Sequence, residues 1–162
     1  MAEAMVVSGI EDLASRVGER AGPTEWREIP QELIDRFADI TNDHQWIHVD
    51  VERAGRESPF GGTVAHGDLT LSLLDGFSQE LLRLDDSGFL AGVNYGWNKV
   101  RFPTPVRSGS RVRASGELIE MTAVGGGWWQ LVTRYTVEVE GSEKPAVVAD
   151  AVSRLLAKGG GT

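Results

Sequence analysis

A chain of 162 residues, 41% of them hydrophobic, carries enough apolar material for one globular domain with a real core and too little for two. It contains no cysteine, which removes disulfides, thiolate metal sites and cysteine nucleophiles together, and its formal charge of −8 argues against a nucleic-acid backbone as partner. No apolar run approaches the roughly 20 residues that span a bilayer, and residues 1–7 lack a basic start, so the reading is a cytoplasmic protein without membrane association.

In chain order, Ser8 and Glu11 read as a capping box for a short amphipathic helix over 8–20, in which Ile10, Leu13 and Val17 repeat at helical spacing. After the Gly22-Pro23 break, Thr24 to Ile29 reads as a strand. Pro30 suits the first turn of a second helix, which turns Leu33, Ile34, Phe37 and Ala38 inward and ends at the turn-favouring Thr41 and Asn42. The chain from Asp43 to Gly62 looks irregular, with one helical turn around Val51 to Ala54. The segment from His66 to Leu82 is apolar or small on nearly every side through Phe77, which predicts one central helix buried all round.

Beyond Ser87-Gly88 the pattern changes to period two. Ala91, Val93, Tyr95 and Trp97 would share one face, with a bulge near Gly96 or Asn98 resetting the register toward Val100 and Phe102. Val112, Ala114 and Leu118 mark the next strand, and Gly125 to Gly127 turn the chain into the alternating run from Trp129 to Val139. A loop over Gly141 to Lys144 leads to a last strand, Ala146 to Leu156, and a flexible tail over 157–162. One helix before a run of antiparallel strands is an α+β order, most economically a sheet wrapped around the helix. The whole chain, 1–162, then forms a single domain.

The chemistry concentrates between Phe37 and His48. Asp43 and His48 are the pair best suited to moving protons near neutral pH, because imidazole titrates there and a carboxylate can hold a water beside it. On a helix their spacing would separate them by roughly 140°, so a loop between them is required. His44 and His48 stand at the i, i+4 spacing of a zinc pair, but Gln45 occupies the position where a zinc protease has its glutamate base, and no further ligand set stands out. No metal and no cofactor are expected. From Lys99 to Arg113 five basic residues occur without an acid, and Lys99 and Arg101 are candidates for meeting the phosphates of an anionic carrier.

Phe37 to His48, Thr63-Val64-Ala65-His66-Gly67 opening an apolar helix, Asn98 to Val106, and Gly109-Ser110-Arg111-Val112 together resemble the MaoC-like family of R-specific enoyl-CoA hydratases and 3-hydroxyacyl-thioester dehydratases, in particular its NodN-like stand-alone members. The resemblance runs from about Gln31 to Leu156. It implies a hot-dog fold, with about five strands around the central helix, and it places the catalytic aspartate at Asp43 and the catalytic histidine at His48. The substrate it implies is an acyl thioester of coenzyme A or acyl carrier protein, hydrated or dehydrated without a cofactor by a homodimer. Asn42, Gln45 and Trp46 depart from the glycine, asparagine and proline common in the hydratase motif. Asn42 and Gln45 would orient the loop, Gln45 hydrogen-bonding as asparagine does, while Trp46 would line the acyl pocket. The enolate oxygen needs a donor at the start of the central helix, and Gly67 is the candidate because a missing side chain permits close approach. His66 would shape that turn. A thioesterase and a non-catalytic acyl-thioester-binding protein are the competing readings.

Overall fold

The computed structural model describes residues 4–85 and 88–159. Ser87, at the expected change of pattern, and 160–162 of the expected tail lie outside them. A first strand, β1 (Met5–Val7), leads into α1 (Ile10–Ser15), which is shorter than the expected 8–20. Gly9 is its N-cap, so the helix starts later than a Ser8 cap would place it. The residue that reaches back is Asp12 rather than Glu11, its carboxylate accepting from the Ser8 N–H at 3.1 Å.

The expected strand over Thr24 to Ile29 contracts to β3 (Arg27–Glu28), preceded by β2 (Arg20–Ala21). Helix α2 (Gln31–Thr41) follows Pro30 as read. Ile34 and Ala38 are fully buried on it, and Leu33 and Phe37 pack half-buried against the same core. Asn42 ends the helix in the left-handed region at φ 57°, a conformation asparagine tolerates better than most residues.

The stretch from Asp43 to Gly62 holds two short helices: α3 (Trp46–Val49), where irregular chain was expected, and α4 (Val51–Glu57), which extends the turn expected over Val51 to Ala54. Asp50 caps the second by accepting from the Arg53 N–H at 2.9 Å. The expected central helix is interrupted at Leu73 into α5 (Gly67–Ser72) and α6 (Leu74–Leu81). It is not buried all round. Leu69, Thr70, Leu74, Phe77 and Leu81 face the core, whereas Asp68, Ser72, Asp75, Gln79 and Glu80 are exposed. Those polar residues form a stripe at helical spacing, and the five inward positions suffice to make the segment look apolar.

After β4 (Leu82–Leu84), which pairs in parallel with β1, four long strands follow: β5 (Phe89–Arg101), β6 (Arg111–Gly125), β7 (Trp128–Val139) and β8 (Val147–Ala157). They run antiparallel in the order β2-β6-β7-β8-β5, with β3 also on β6, giving six strands where about five were expected. This is the hot-dog arrangement: α5 and α6 lie on the inner face, where Val112, Ala114, Tyr135, Val137, Val147 and Ala149 form the main core with Leu69, Leu74, Phe77 and Leu81.

The bulges of β5 decide which way its side chains point. Val93 stands opposite Arg154, but the register shifts between Asn94 and Gly96, so Trp97 stands opposite Ala151 on the other face. The expected sharing of one face by Val93, Tyr95 and Trp97 is therefore broken. Tyr95 lies against the Arg154 guanidinium on the outer face, and Trp97 turns inward. A second shift between Trp97 and Lys99 sets Lys99 opposite Asp150, back on the outer face.

Candidate active site

Helix α2 delivers Asp43 into the loop after its left-handed terminus. Asp43 Oδ1 accepts from the Gln45 N–H at 3.3 Å, a local turn of the kind aspartate favours, and the carboxylate stays half exposed. One short turn later, α3 presents His48, which is 8% exposed. The His48 Nδ1 lies 2.6 Å from the Val64 carbonyl oxygen. A carbonyl only accepts, so Nδ1 carries the proton and Nε2 is left with a free lone pair. Burial holds the His48 pKa below the ordinary histidine value; the Val64 bond and Asp43 oppose this, and His66 adds to it.

His66 belongs to the same cluster. It is the N-cap of α5 but makes no side-chain cap bond; its Nε2 donates instead to the Asp43 carbonyl oxygen at 2.9 Å. Its ring stacks on that of His48 with centroids 3.7 Å apart and planes 23° apart, and the Phe37 ring tilts against it at 5.2 Å. The His66 Nδ1 is buried without a hydrogen-bond partner.

Donor atoms of Asp43, His48 and His66 lie within 4.8 Å of one another, close enough to raise a metal site. The Nε2 of His66 is committed as a donor to the Asp43 carbonyl oxygen. His44, half of the zinc pair considered above, is exposed and bonds Asp39 at 2.8 Å, outside this cluster.

Gly67 is the first residue of α5, where a helix leaves its amides without intrahelical acceptors. A Cβ there would meet the Phe102 ring at 3.0 Å, so glycine is what lets Phe102 lie over the turn. Of the loop residues, Asn42 forms the left-handed terminus and Gln45 caps α3, its carbonyl accepting from the His48 N–H at 2.9 Å. Trp46 lies under the Arg53 guanidinium at 4.2 Å and is not part of the apolar cavity described next. That cavity, of about 250 Å³, opens between α6 and the inner face of the sheet, among Leu74, Ser78, Trp97, Leu131, Tyr135 and Leu155.

The basic run divides. Arg111 and Arg113 form ion pairs with Glu140 and Glu138 across β6 and β7, and Arg107 bonds the Gly61 carbonyl oxygen. Lys99 and Arg101 remain exposed on β5, away from the inner face. Two residues that touch the site were given no role in it from the sequence: Gln31, which only marked the start of the resemblance, and Thr63, which only opened a motif. They lie 17 and 15 residues from His48, and periodicity does not connect them to it.

The MaoC like domain description matches residues 12–140. The chain belongs to this family. Among curated relatives of the family member, the 3-hydroxyacyl-thioester dehydratase Z of Mycobacterium tuberculosis (strain ATCC 25618 / H37Rv) is 49% identical over 148 residues, covering 91% of this chain and 96% of the relative. Nodulation protein N of Rhizobium leguminosarum bv. viciae is 46% identical over 147 residues, with 89% of each chain covered. Among solved structures, the monoamine oxidase regulatory protein from Archaeoglobus fulgius superposes with a TM-score of 0.75 at 28% identity, covering 95% of this chain and 98% of that one. The (R)-hydratase from A. caviae involved in PHA biosynthesis gives 0.62 at 25% identity over 85% and 94%. The family member is an enzyme of the hydro-lyase type.

Proposed function

We propose that this single-domain MaoC-like protein interconverts trans-2-enoyl thioesters and (R)-3-hydroxyacyl thioesters, with Asp43 and His48 acting on one bound water. The observation that carries the reading is the fixed tautomer of His48: its Nδ1–H is held by Val64, so Nε2 is a base beside the Asp43 carboxylate at the opening of α5. In the hydration direction Asp43 holds the water, His48 Nε2 takes its proton, and the water oxygen bonds to the β-carbon. The electron pair of the double bond moves onto the thioester as an enolate, for which the Gly67 N–H at the positive end of α5 is the donor. The proton then returns from the pair to the α-carbon, which balances the addition.

Nothing in this sequence of steps requires a cofactor. The apolar cavity beneath α6 offers room for the acyl chain. The exposed Lys99 and Arg101 are assigned to the phosphates of the carrier, Arg101 preceding the Phe102 that covers Gly67. The active form is a homodimer joined through β5.

Crotonyl-CoA tests the reading. The expected result is loss of enoyl absorbance without release of free thiol, and loss of most of that activity in Asp43→Asn and His48→Gln, because general acid-base catalysis contributes about 10²- to 10⁴-fold. Free thiol would make the protein a thioesterase. An untouched thioester, or near-parental turnover in either variant, would overturn the assignment.

A further inference from the structure

We infer that Gln31 and Thr63 form a positioning clamp that sets the orientation of the His48 ring; the inference rests on the role proposed above for His48. Gln31, the first residue of α2, donates from Nε2 to the His48 carbonyl oxygen at 2.7 Å and to Asp35 Oδ1 at 2.8 Å. Its Oε1 accepts from the Thr63 hydroxyl at 2.5 Å. Both amide hydrogens and the amide oxygen are thus engaged, which also fixes which end of the side chain is which.

The bonds close a ring. Thr63 is joined by the chain to Val64, and the Val64 carbonyl is the acceptor of His48 Nδ1–H, while the Val64 N–H donates to the Ile47 carbonyl at 3.0 Å. One short segment therefore holds His48 twice, its ring directly through Val64 and its backbone through Thr63 and Gln31. The far side of that segment is anchored in turn: Ala65 N–H donates to Val106 at 2.7 Å and Ser108 N–H to Thr63 at 3.0 Å. Thr63 is 4% exposed and His48 8%, so these two members of the circuit are shielded from solvent, with Gln31 half-buried between them.

A ring held at both ends cannot change rotamer or slide relative to Val64 without breaking the circuit. Removing the clamp frees the His48 carbonyl and leaves the backbone of α3 held from outside its own turn through the Ile47 carbonyl alone among the bonds of this circuit. The ring then loses its fixed distance to Asp43, and Nδ1 loses the alignment that selects its tautomer. Misplacement of a reacting group by about 1 Å costs on the order of a hundredfold in rate, and it acts on the chemical step rather than on binding.

Gln31→Met keeps the volume and removes donors and acceptor together; Thr63→Val does the same for the hydroxyl. Each is expected to lower kcat by about a hundredfold with KM little changed. The acid limb of the pH profile should move up toward the ordinary histidine value as the ring gains solvent. The double variant should lose little more than either single one, because both break the same circuit. Thr63→Ser should recover most of what Thr63→Val loses.

Nitrogen-15 side-chain spectra of His48 in the intact protein give a reading independent of turnover. The parent should show a protonated Nδ1 alone, and the variants a mixture of tautomers. Variants with parental melting temperatures, kcat within about twofold of the parent and unmoved His48 resonances would overturn the clamp, and Thr63→Val keeps the test available if Gln31→Met does not fold. Should His48→Gln prove active, the proposed reaction falls, while the tautomer spectra still decide the clamp.

Discussion

Asp43, His48 and Gly67 could be named from the sequence because residue type and motif order carried them, and the structure brings all three around the opening of α5. What their partners do to them could not be read there, and His66 was named only as shaping the turn. His66 stands 18 residues after His48 and Gln31 17 before it, and only the folded chain stacks one on the ring and bonds the other to its carbonyl. The tuning has a pH consequence. Because burial depresses the His48 pKa, the base form persists through neutrality, and the acid limb of kcat/KM should lie below the ordinary histidine value of about 6.5. Stability follows the same sign. Below that value the unfolded chain binds a proton that folded His48 resists, so stability should fall as pH drops from about 6.5 and be insensitive to this group above it. Rate and melting profiles over pH 4 to 8 check both, and an acid limb above the ordinary value would refute the assignment. Gly67→Ala should cost about 10²-fold in kcat, because the Cβ meets the Phe102 ring at 3.0 Å and displaces it beside the N–H proposed as the enolate donor. The melting temperature should change little, since Phe102, 45% exposed, can swing outward.

Elements were legible where one period held over many residues, as in α2 and the strands from β5 to β8, and were misread where polar and apolar stripes had to be separated. The segment from His66 to Leu82 looked apolar throughout, yet its exposed aspartates and glutamate mark an outer face and Leu73 interrupts it. Helix α3 was hidden by its brevity and α4 was read only as one turn over Val51 to Ala54, although Asp50 three residues before Arg53 was a readable cap. In β5 the expected bulge exists, but a second one follows, and two reversals in five residues leave Trp97 inward with Lys99 outward. This narrows the basic run to its exposed members on β5. Arg101→Ala should therefore raise KM for a coenzyme A thioester more than it lowers kcat, and added salt should reproduce the change in the parent. An unaltered KM at low ionic strength would leave Arg101 a solvated strand residue.

At the scale of the molecule, the sheet ends differently on its two sides. One side finishes in β2 and β3, two residues each and carrying Arg20, Arg27 and Glu28, which is how edges are made unattractive to another chain. The other finishes in β5, 13 residues long, which among the described residues pairs as a strand with β8 alone, and has no proline until Pro103. Its exposed side chains include Leu90, Val93 and Tyr95 at 63%, 47% and 59%. A long edge bearing apolar side chains pairs rather than stays in water, and a two-fold contact between two such edges satisfies both at once. The cavity that would take the acyl chain borders the same strand, through Gly92, Asn94 and Trp97, so pairing would also close the substrate site. Light scattering at micromolar concentration should accordingly give about twice the mass of one chain. The double variant Leu90→Lys, Tyr95→Lys, at two exposed positions outside the cavity lining, puts like charges on both members of the paired edge and should yield a monomer that has lost most of its hydratase activity. A parent that is monomeric and fully active would refute both the pairing of β5 and the sharing of the site, and an active monomeric variant would refute the second alone.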